Sequence, residues 1–206
     1  MKLFYSKGAC SLAVRIVINE LGLPCEFEAV DLKTKRTESG QDYLAINSKG
    51  AVPALLLDSG ELLTENSVIQ QYLADTFNGS KLLPKVGELK RYRVLEWLNF
   101  VGSDLHKGVG VFFNHALPDD IKNKYFKPGV ESKIDFVNQS LAHKKYLLGD
   151  EFTLPDAYLF VIIVWLKHFK FDLKSRPYLT QYFDELNKRP SVLQSLEEEG
   201  MKMTTA

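Results

Sequence analysis

Cys10, the pair Val52-Pro53 and the pair Glu65-Asn66 are the residues of this chain whose types and positions point to chemistry on a peptide-like thiol. Cys10 ends the loop Ser6-Lys7-Gly8-Ala9 and stands just before an apolar stretch that begins at Ser11. If that stretch is a helix, its open N–H groups and the positive end of its dipole favour a thiolate at Cys10. An ordinary thiol with a pKa near 8.5 is only about 3% ionised at pH 7, so such help matters. Ser11 adds a hydroxyl at the same spot. The role of a small buried hydrophobe fits Cys25 better than Cys10. With no Cys-x-x-Cys pair, a dithiol redox cycle within one site is disfavoured.

Pro53 stands at the start of an apolar run, Ala54-Leu55-Leu56-Leu57. Proline lacks an N–H and fixes its own φ, which suits the beginning of a strand and interrupts a ladder. A cis Val52–Pro53 bond would turn the Val52 N–H and C=O outward, available to the backbone of a bound peptide. Glu65 and Asn66 open a helix, where an acceptor can serve simply as a cap. Open N–H groups with Asn66 would also bind a carboxylate, and Glu65 would pair with an ammonium. An amino-acid-like end carries both charges. Further on, Asn99, Ser103, His106 and Gly110 are spaced to share one face of a helix, with Lys107 four residues beyond Ser103. Such a polar stripe is either a cleft wall or a solvated face.

The elements that must position these residues read as β-α-β-(α)-β-β-α. Lys2–Tyr5 is a short strand, and Ser11–Leu21 a helix stopped by Gly22. Residues 25–30 alternate as a half-buried strand, and a weak helix follows near 41–44. Ala54–Leu57 and Glu61–Leu63 form a hairpin around Asp58-Ser59-Gly60, and residues 66–77 a helix. A right-handed crossover makes the first two strands parallel, which gives an α/β sheet of the thioredoxin type. Residues 78–81, with Pro84 beyond, read as a linker. After it come only helices: 88–109, 119–143 with a break at Pro128-Gly129, a buried helix over 157–166, then 176–188 and 191–199. Thr153-Leu154-Pro155-Asp156 has the form of a capping box. The expected domains are 1–80, carrying the sheet, and 87–206, all-helical.

Lysine plus arginine balance aspartate plus glutamate, 26 against 26, which argues against nucleic acid or an anionic membrane as partner. Apolar residues make up 45% and are dispersed, so the chain is expected to be ordered. Residues 1–5 read as a strand and not as a signal peptide, and 157–166 is too short to span a bilayer. With only two cysteines no disulfide framework is expected, and the location is expected to be cytoplasmic.

Taken in order, the chain resembles the cytosolic glutathione transferases, most closely the bacterial beta class. The resemblance rests on Met1-Lys2-Leu3-Phe4-Tyr5 with Gly8-Ala9-Cys10-Ser11, on Val30-Asp31-Leu32, Asn47-Ser48-Lys49-Gly50, Val52-Pro53-Ala54-Leu55 and Leu63-Thr64-Glu65. It continues through Glu96-Trp97-Leu98-Asn99, Leu105-His106-Lys107 and the run from Thr153 to Leu159. It implies a thioredoxin-like N-terminal domain, an all-α C-terminal domain, a homodimer, glutathione as co-substrate and no metal. By that resemblance Val52 pairs with the cysteinyl backbone of glutathione beside cis-Pro53. Glu65 and Asn66 hold its γ-glutamyl end and Lys35 its glycine carboxylate. Cys10 lies against its sulfur, and Asn99, Ser103, Asp104, Leu105, His106 and Lys107 complete the site, Ser103 and Asp104 reaching in from a neighbouring subunit. A hydrophobic co-substrate is expected between the domains, near Tyr5, Ala9, His106, Gly110 and Phe113. Ser48 stands where the family often has proline, and Asn66 where serine or glycine is common.

The expected reaction is detoxifying: the glutathione thiolate attacks an electrophilic carbon of a hydrophobic molecule, assisted by Cys10, Ser11 and His106. Two alternatives stand beside it. One is a glutathione-dependent thiol-disulfide oxidoreductase working through a mixed disulfide with Cys10. The other is a non-catalytic ligand- or protein-binding module, because fold alone does not fix function.

Overall fold

Strand β1 (Lys2–Tyr5) lies in the middle of a five-stranded sheet in the computed structural model, which describes residues 1–201. It runs parallel to β2 (Glu26–Asp31), reached through helix α1 (Ser11–Glu20), and antiparallel to β4 (Ala54–Leu56). At one edge β3 (Arg36–Thr37) pairs antiparallel with β2, and at the other β5 (Leu62–Thr64) pairs antiparallel with β4. Helices α2 (Tyr43–Ile46) and α3 (Asn66–Thr76) complete the N-terminal thioredoxin-like part. The two-residue β3 was not expected, since it is too short to show alternation.

Register explains why the candidate residues meet. Phe4 pairs with Ala54, and Ala54 with Thr64. The end of β1, the start of β4 and the end of β5 therefore lie side by side. Those three strand ends lead to Cys10, Pro53 and Glu65 respectively.

Successive residues of β1 serve opposite faces of the sheet. Leu3 is fully buried, and Phe4 joins a cluster with Val30, Tyr43, Val52 and Ala54. Every residue of α1 from Ser11 to Ile18 is buried. A helix buried all round must be covered on the side away from its sheet, and α10 (Pro190–Glu198) packs against α1. The Arg189 guanidinium pairs with Glu20, whose carboxylate also accepts from the Ser191 hydroxyl at 2.6 Å. The chain accordingly divides into residues 1–83 with those from Asn187 on, and residues 84–186. The final helix thus groups with the sheet, although the sequence reading had placed it in a helical domain spanning 87–206. Residues 202–206 of that expected domain lie outside the described residues.

The second unit is helical. The expected helix over 88–109 is α4 (Leu89–Phe100), a π-helical turn (Val101–His106), α5 (Lys107–Gly110) and a 3₁₀ turn (Val111–Phe113). Gly102, a weak helix former, sits in the widened turn. Next come α6 (Asp119–Ile121), a second π-helical turn (Lys122–Phe126) and α7 (Lys127–Ser140). The expected break at Pro128-Gly129 is instead a widening of the turn just before it. Pro128 has no N–H for the preceding turn, and its ring crowds the carbonyl four residues back.

Helices α8 (Leu154–His168) and α9 (Pro177–Leu186) close the unit. Asp156 at the start of α8 is fully buried and accepts four hydrogen bonds. They come from the Thr153 N–H at 2.8 Å and hydroxyl at 2.7 Å, the Leu147 N–H at 3.0 Å and the Tyr182 hydroxyl at 2.8 Å. Among the described residues no helix is long and apolar enough to cross a membrane.

Candidate active site

Cys10 is the residue preceding the first turn of α1, as expected. A tight turn delivers it there: the Ala9 N–H donates to Ser6 C=O at 2.9 Å, and Gly8 takes φ +69°, which favours glycine. The thiol is buried at 9% exposure and donates to the Val52 C=O at 3.3 Å. Val52–Pro53 is cis. The Val52 N–H takes part in no hydrogen bond among the described residues, because β4 begins two residues later. Cysteine and valine backbone thus face one another where strand ends meet. Neither cysteine is in a disulfide, and Cys25 is only half-buried, not the core residue expected.

Ser11 does not join this group. Its side chain is fully buried, and its hydroxyl donates to Ser6 C=O at 3.3 Å while accepting the Ser6 N–H at 3.2 Å. It staples the loop, tying the residue after Cys10 back to Ser6. The cause is packing: α1 turns this side chain inward.

Glu65 takes φ +72° and ψ +118°, a conformation that costs a non-glycine residue of order 1–3 kcal/mol and is typical of functional positions. Its carboxylate is exposed and pairs with Lys49 Nζ at 2.7 Å, which also reaches Thr64 Oγ1 at 3.1 Å. Asn66 is only 7% exposed, and both ends of its amide are engaged. Nδ2 donates to the Cys10 C=O at 2.6 Å, and Oδ1 accepts from Gln70 Nε2 at 2.5 Å. The Asn66 side chain therefore joins α3 to α1, leaving its backbone N–H as the group able to meet a ligand. The N–H groups of Asn66 and Ser67 begin an 11-residue helix with no side-chain cap, the arrangement that binds carboxylates. Lys35, half-buried at φ +57°, donates from Nζ to Gly50 C=O at 2.7 Å. Its ammonium has two further protons to give.

The second unit carries its own group in the π-helical turn, a feature often found at functional positions. Ser103 Oγ lies 2.9 Å from Asn99 C=O and 2.8 Å from Asp104 Oδ2, and its single proton is shared between these two acceptors. Asp104 also pairs with Lys133 at 3.1 Å. The Ser103 hydroxyl, then Lys133, hold the Asp104 carboxyl below its usual range. Leu105 is 1% exposed, so its side chain belongs to the core. Asn99 and Lys107 are exposed. The α-helical spacing that placed Asn99, Ser103, His106 and Gly110 on one stripe does not hold strictly, since the turn between them is wider.

His106 Nδ1 lies 2.5 Å from the Tyr158 hydroxyl, and its ring meets Trp165 edge-on at 4.9 Å. Burial, and secondarily Lys107, depresses its pKa to about 4, so the imidazole is neutral at physiological pH. Phe113 meets Trp165 edge-on at 5.2 Å, and a side chain on Gly110 would approach His106. These residues form an aromatic face that carries the His106 imidazole. Tyr158 and Trp165 were missed as site residues, although their i, i+7 spacing puts both on one side of α8. Lys49 and Ser67, neighbours of Glu65, were missed as well.

Comparison with known proteins agrees with this reading. Residues 8–81 match the family description "Glutathione S-transferase, N-terminal domain", and residues 105–190 match "Glutathione S-transferase, C-terminal domain". The chain is 42% identical to glutathione S-transferase GstA of Escherichia coli O157:H7, over 98% of this chain and 100% of that one. It is 33% identical to glutathione S-transferase GST-4.5 of Xanthomonas campestris over the same shares. Among solved structures it resembles BphK, a bacterial enzyme described in a ternary complex, with a TM-score of 0.94 at 42% identity over 98% and 100% of the chains. A sphingomonad glutathione S-transferase complexed with glutathione gives 0.92 at 40% identity, again over 98% and 100%. A sheet domain with a cysteine at its first helix, followed by a helical domain, is the architecture of a thiol-handling transferase. The chain belongs to the glutathione S-transferase family, and its likeness is to the bacterial beta class.

Proposed function

We propose that this protein conjugates the thiol of glutathione to hydrophobic electrophiles. The observation that carries the reading is the 3.3 Å approach of the Cys10 thiol to the Val52 carbonyl, beside a Val52 N–H outside the sheet ladder. The tripeptide's cysteinyl backbone pairs with Val52, which brings its sulfur towards Cys10. Its γ-glutamyl carboxylate takes the N–H groups of Asn66 and Ser67, its ammonium takes Glu65, and Lys35 takes the glycine carboxylate. Asn99, Ser103, Asp104, the Leu105 backbone and Lys107 are proposed contacts of the same ligand.

The ligand's thiol gives its proton to water, and the thiolate is stabilised by hydrogen bonds from Cys10 and from the neutral His106. The thiolate then attacks an electrophilic carbon: a C–S bond forms, and the bond to the leaving group breaks with its electron pair. Tyr5, Ala9, His106, Gly110 and Phe113 are the proposed contacts of that apolar molecule. The protein is proposed to act as a cytoplasmic homodimer.

A second reading is favoured by the position of Cys10 itself. As a thiolate it would attack a glutathione mixed disulfide, forming one S–S bond as another breaks and releasing the other thiol. Assays of wild type and Cys10→Ala with an aryl halide and with a mixed disulfide separate the two. Transferase chemistry predicts turnover of the halide that is reduced but measurable without Cys10. Thiol transfer predicts turnover of the disulfide that is abolished.

A further inference from the structure

We propose that Glu199, at the end of α10, is a positioning residue for Cys10, holding the turn that carries the thiol; the inference rests on the transferase reading of that thiol. Glu199 is buried, and its carboxylate bridges two groups. Oε2 accepts the Gly8 N–H at 2.8 Å, and Oε1 accepts Arg15 Nε at 3.2 Å. Gly8 stands two residues before Cys10, inside the turn closed by the Ala9-to-Ser6 hydrogen bond. Arg15 is 2% exposed on α1, the helix that Cys10 begins. Its guanidinium lies over the rings of Phe27 at 3.7 Å and Tyr5 at 4.3 Å, and Nη1 pairs with Glu198 at 3.1 Å. Two further approaches close the clamp. Lys7 Nζ donates to Gly200 C=O at 2.8 Å, and a side chain placed on Gly8 would meet the Met201 thioether.

Chain segments some 190 residues apart in sequence thus meet at the loop before the thiol, and the carboxylate is the group that touches both the loop and the helix. A backbone N–H held by a carboxylate is a charge-assisted bond, stronger than a neutral one. Reaction rates are sensitive to displacements of about 1 Å at a reacting group. Fixing Gly8 therefore fixes where the Cys10 sulfur sits relative to Val52.

Positioning and simple stability separate in two variants. Glu199→Gln keeps an acceptor for the Gly8 N–H but breaks the pair with Arg15. The double variant Arg15→Met with Glu199→Leu removes the pair as a unit, an exchange that buried ion pairs often tolerate, and takes away the carboxylate acceptor of the Gly8 N–H. Three readouts are taken: the melting temperature, the pH profile of Cys10 alkylation by iodoacetamide followed on the Cys10 peptide, and kcat and KM for glutathione with an aryl halide. The expected result is a crossed pattern. Glu199→Gln melts lower yet keeps the alkylation midpoint and kcat within about twofold. The double variant melts near wild type but shifts the alkylation midpoint by half a pH unit or more and loses about tenfold in kcat, with KM little changed. A folded double variant with wild-type alkylation and kcat overturns the proposal, as does a Glu199→Gln protein whose alkylation profile shifts. Should the double variant not fold, Glu199→Met, which keeps Arg15 but offers the Gly8 N–H no acceptor, takes its place: a shifted alkylation midpoint supports the proposal and a wild-type midpoint overturns it. Absence of glutathione turnover by wild type would overturn the transferase reading, and the alkylation readout, which needs no glutathione, would still judge Glu199.

Discussion

The Asn66 amide nitrogen lies 2.6 Å from the Cys10 carbonyl oxygen, so the helix that begins beside Glu65 is tied directly to the residue that carries the thiol. The same amide accepts from Gln70, which makes it the centre of a buried polar chain. Asn66→Ala removes one of two donors from the Cys10 carbonyl, which keeps the Ala13 N–H at 3.1 Å, and strips a buried amide of its acceptor. Leaving such groups unsatisfied costs about 1–3 kcal/mol each. The expected outcome in denaturant or thermal unfolding is a loss of about 1–3 kcal/mol, with Asn66→Ser intermediate.

Glu65 separates binding from stability. Its ion pair with Lys49 is largely exposed, and such pairs contribute only about 0–1 kcal/mol. At φ +72° glycine would be at ease where glutamate is not. Glu65→Gly is therefore expected to melt within a few degrees of wild type. Calorimetry with glutathione should show at least tenfold weaker binding, because the partner of the ligand ammonium is gone.

His106 sets a pH dependence of definite sign. Its folded pKa, about 4, lies below the ordinary histidine value near 6.5, so the folded state takes up its proton later than the unfolded state. Stability from the neutral ring is complete above pH 6.5 and is lost as pH falls towards 4, by up to about 3 kcal/mol. An NMR titration should find the His106 ring uncharged at pH 6. His106→Asn should flatten the acid limb of the stability curve between those values.

Asp156 is a matter of folding alone. Burial pushes its carboxyl pKa up, and four donors oppose that. Asp156→Ala leaves the Thr153 and Leu147 N–H groups and the Tyr182 hydroxyl unsatisfied, at a cost of about 3–5 kcal/mol. In a chain of this size that is a fall in melting temperature of roughly 10 °C or more. Activity per folded molecule should be unchanged, as measured by normalising turnover to the folded fraction.

The residues read correctly from sequence were those whose type is a local decision. The alternation of β2, the Asp58-Ser59-Gly60 turn, the placing of Pro53 before β4 and of Cys10 before α1 all follow from short-range rules. Features set by distant parts of the chain were hidden. Ser11 faces inward because α1 is covered on all sides. Asn66 is occupied by a carbonyl 56 positions earlier. The amphipathy of α10 says that it must pack but not on what, so its partnership with α1 could not be read. The π-helical turn at Val101–His106 defeats any argument that assumes 3.6 residues per turn, and so the stripe from Asn99 to Gly110 was drawn too straight.

Protection of Cys10 from alkylation by S-methylglutathione, which has no thiol to consume the reagent, tests the central claim most directly. If the tripeptide lies along Val52 with its sulfur at Cys10, iodoacetamide labelling of Cys10 slows in a saturable way as the ligand is added, while labelling of Cys25 does not change. A Cys10 rate that stays constant up to millimolar ligand would contradict the account.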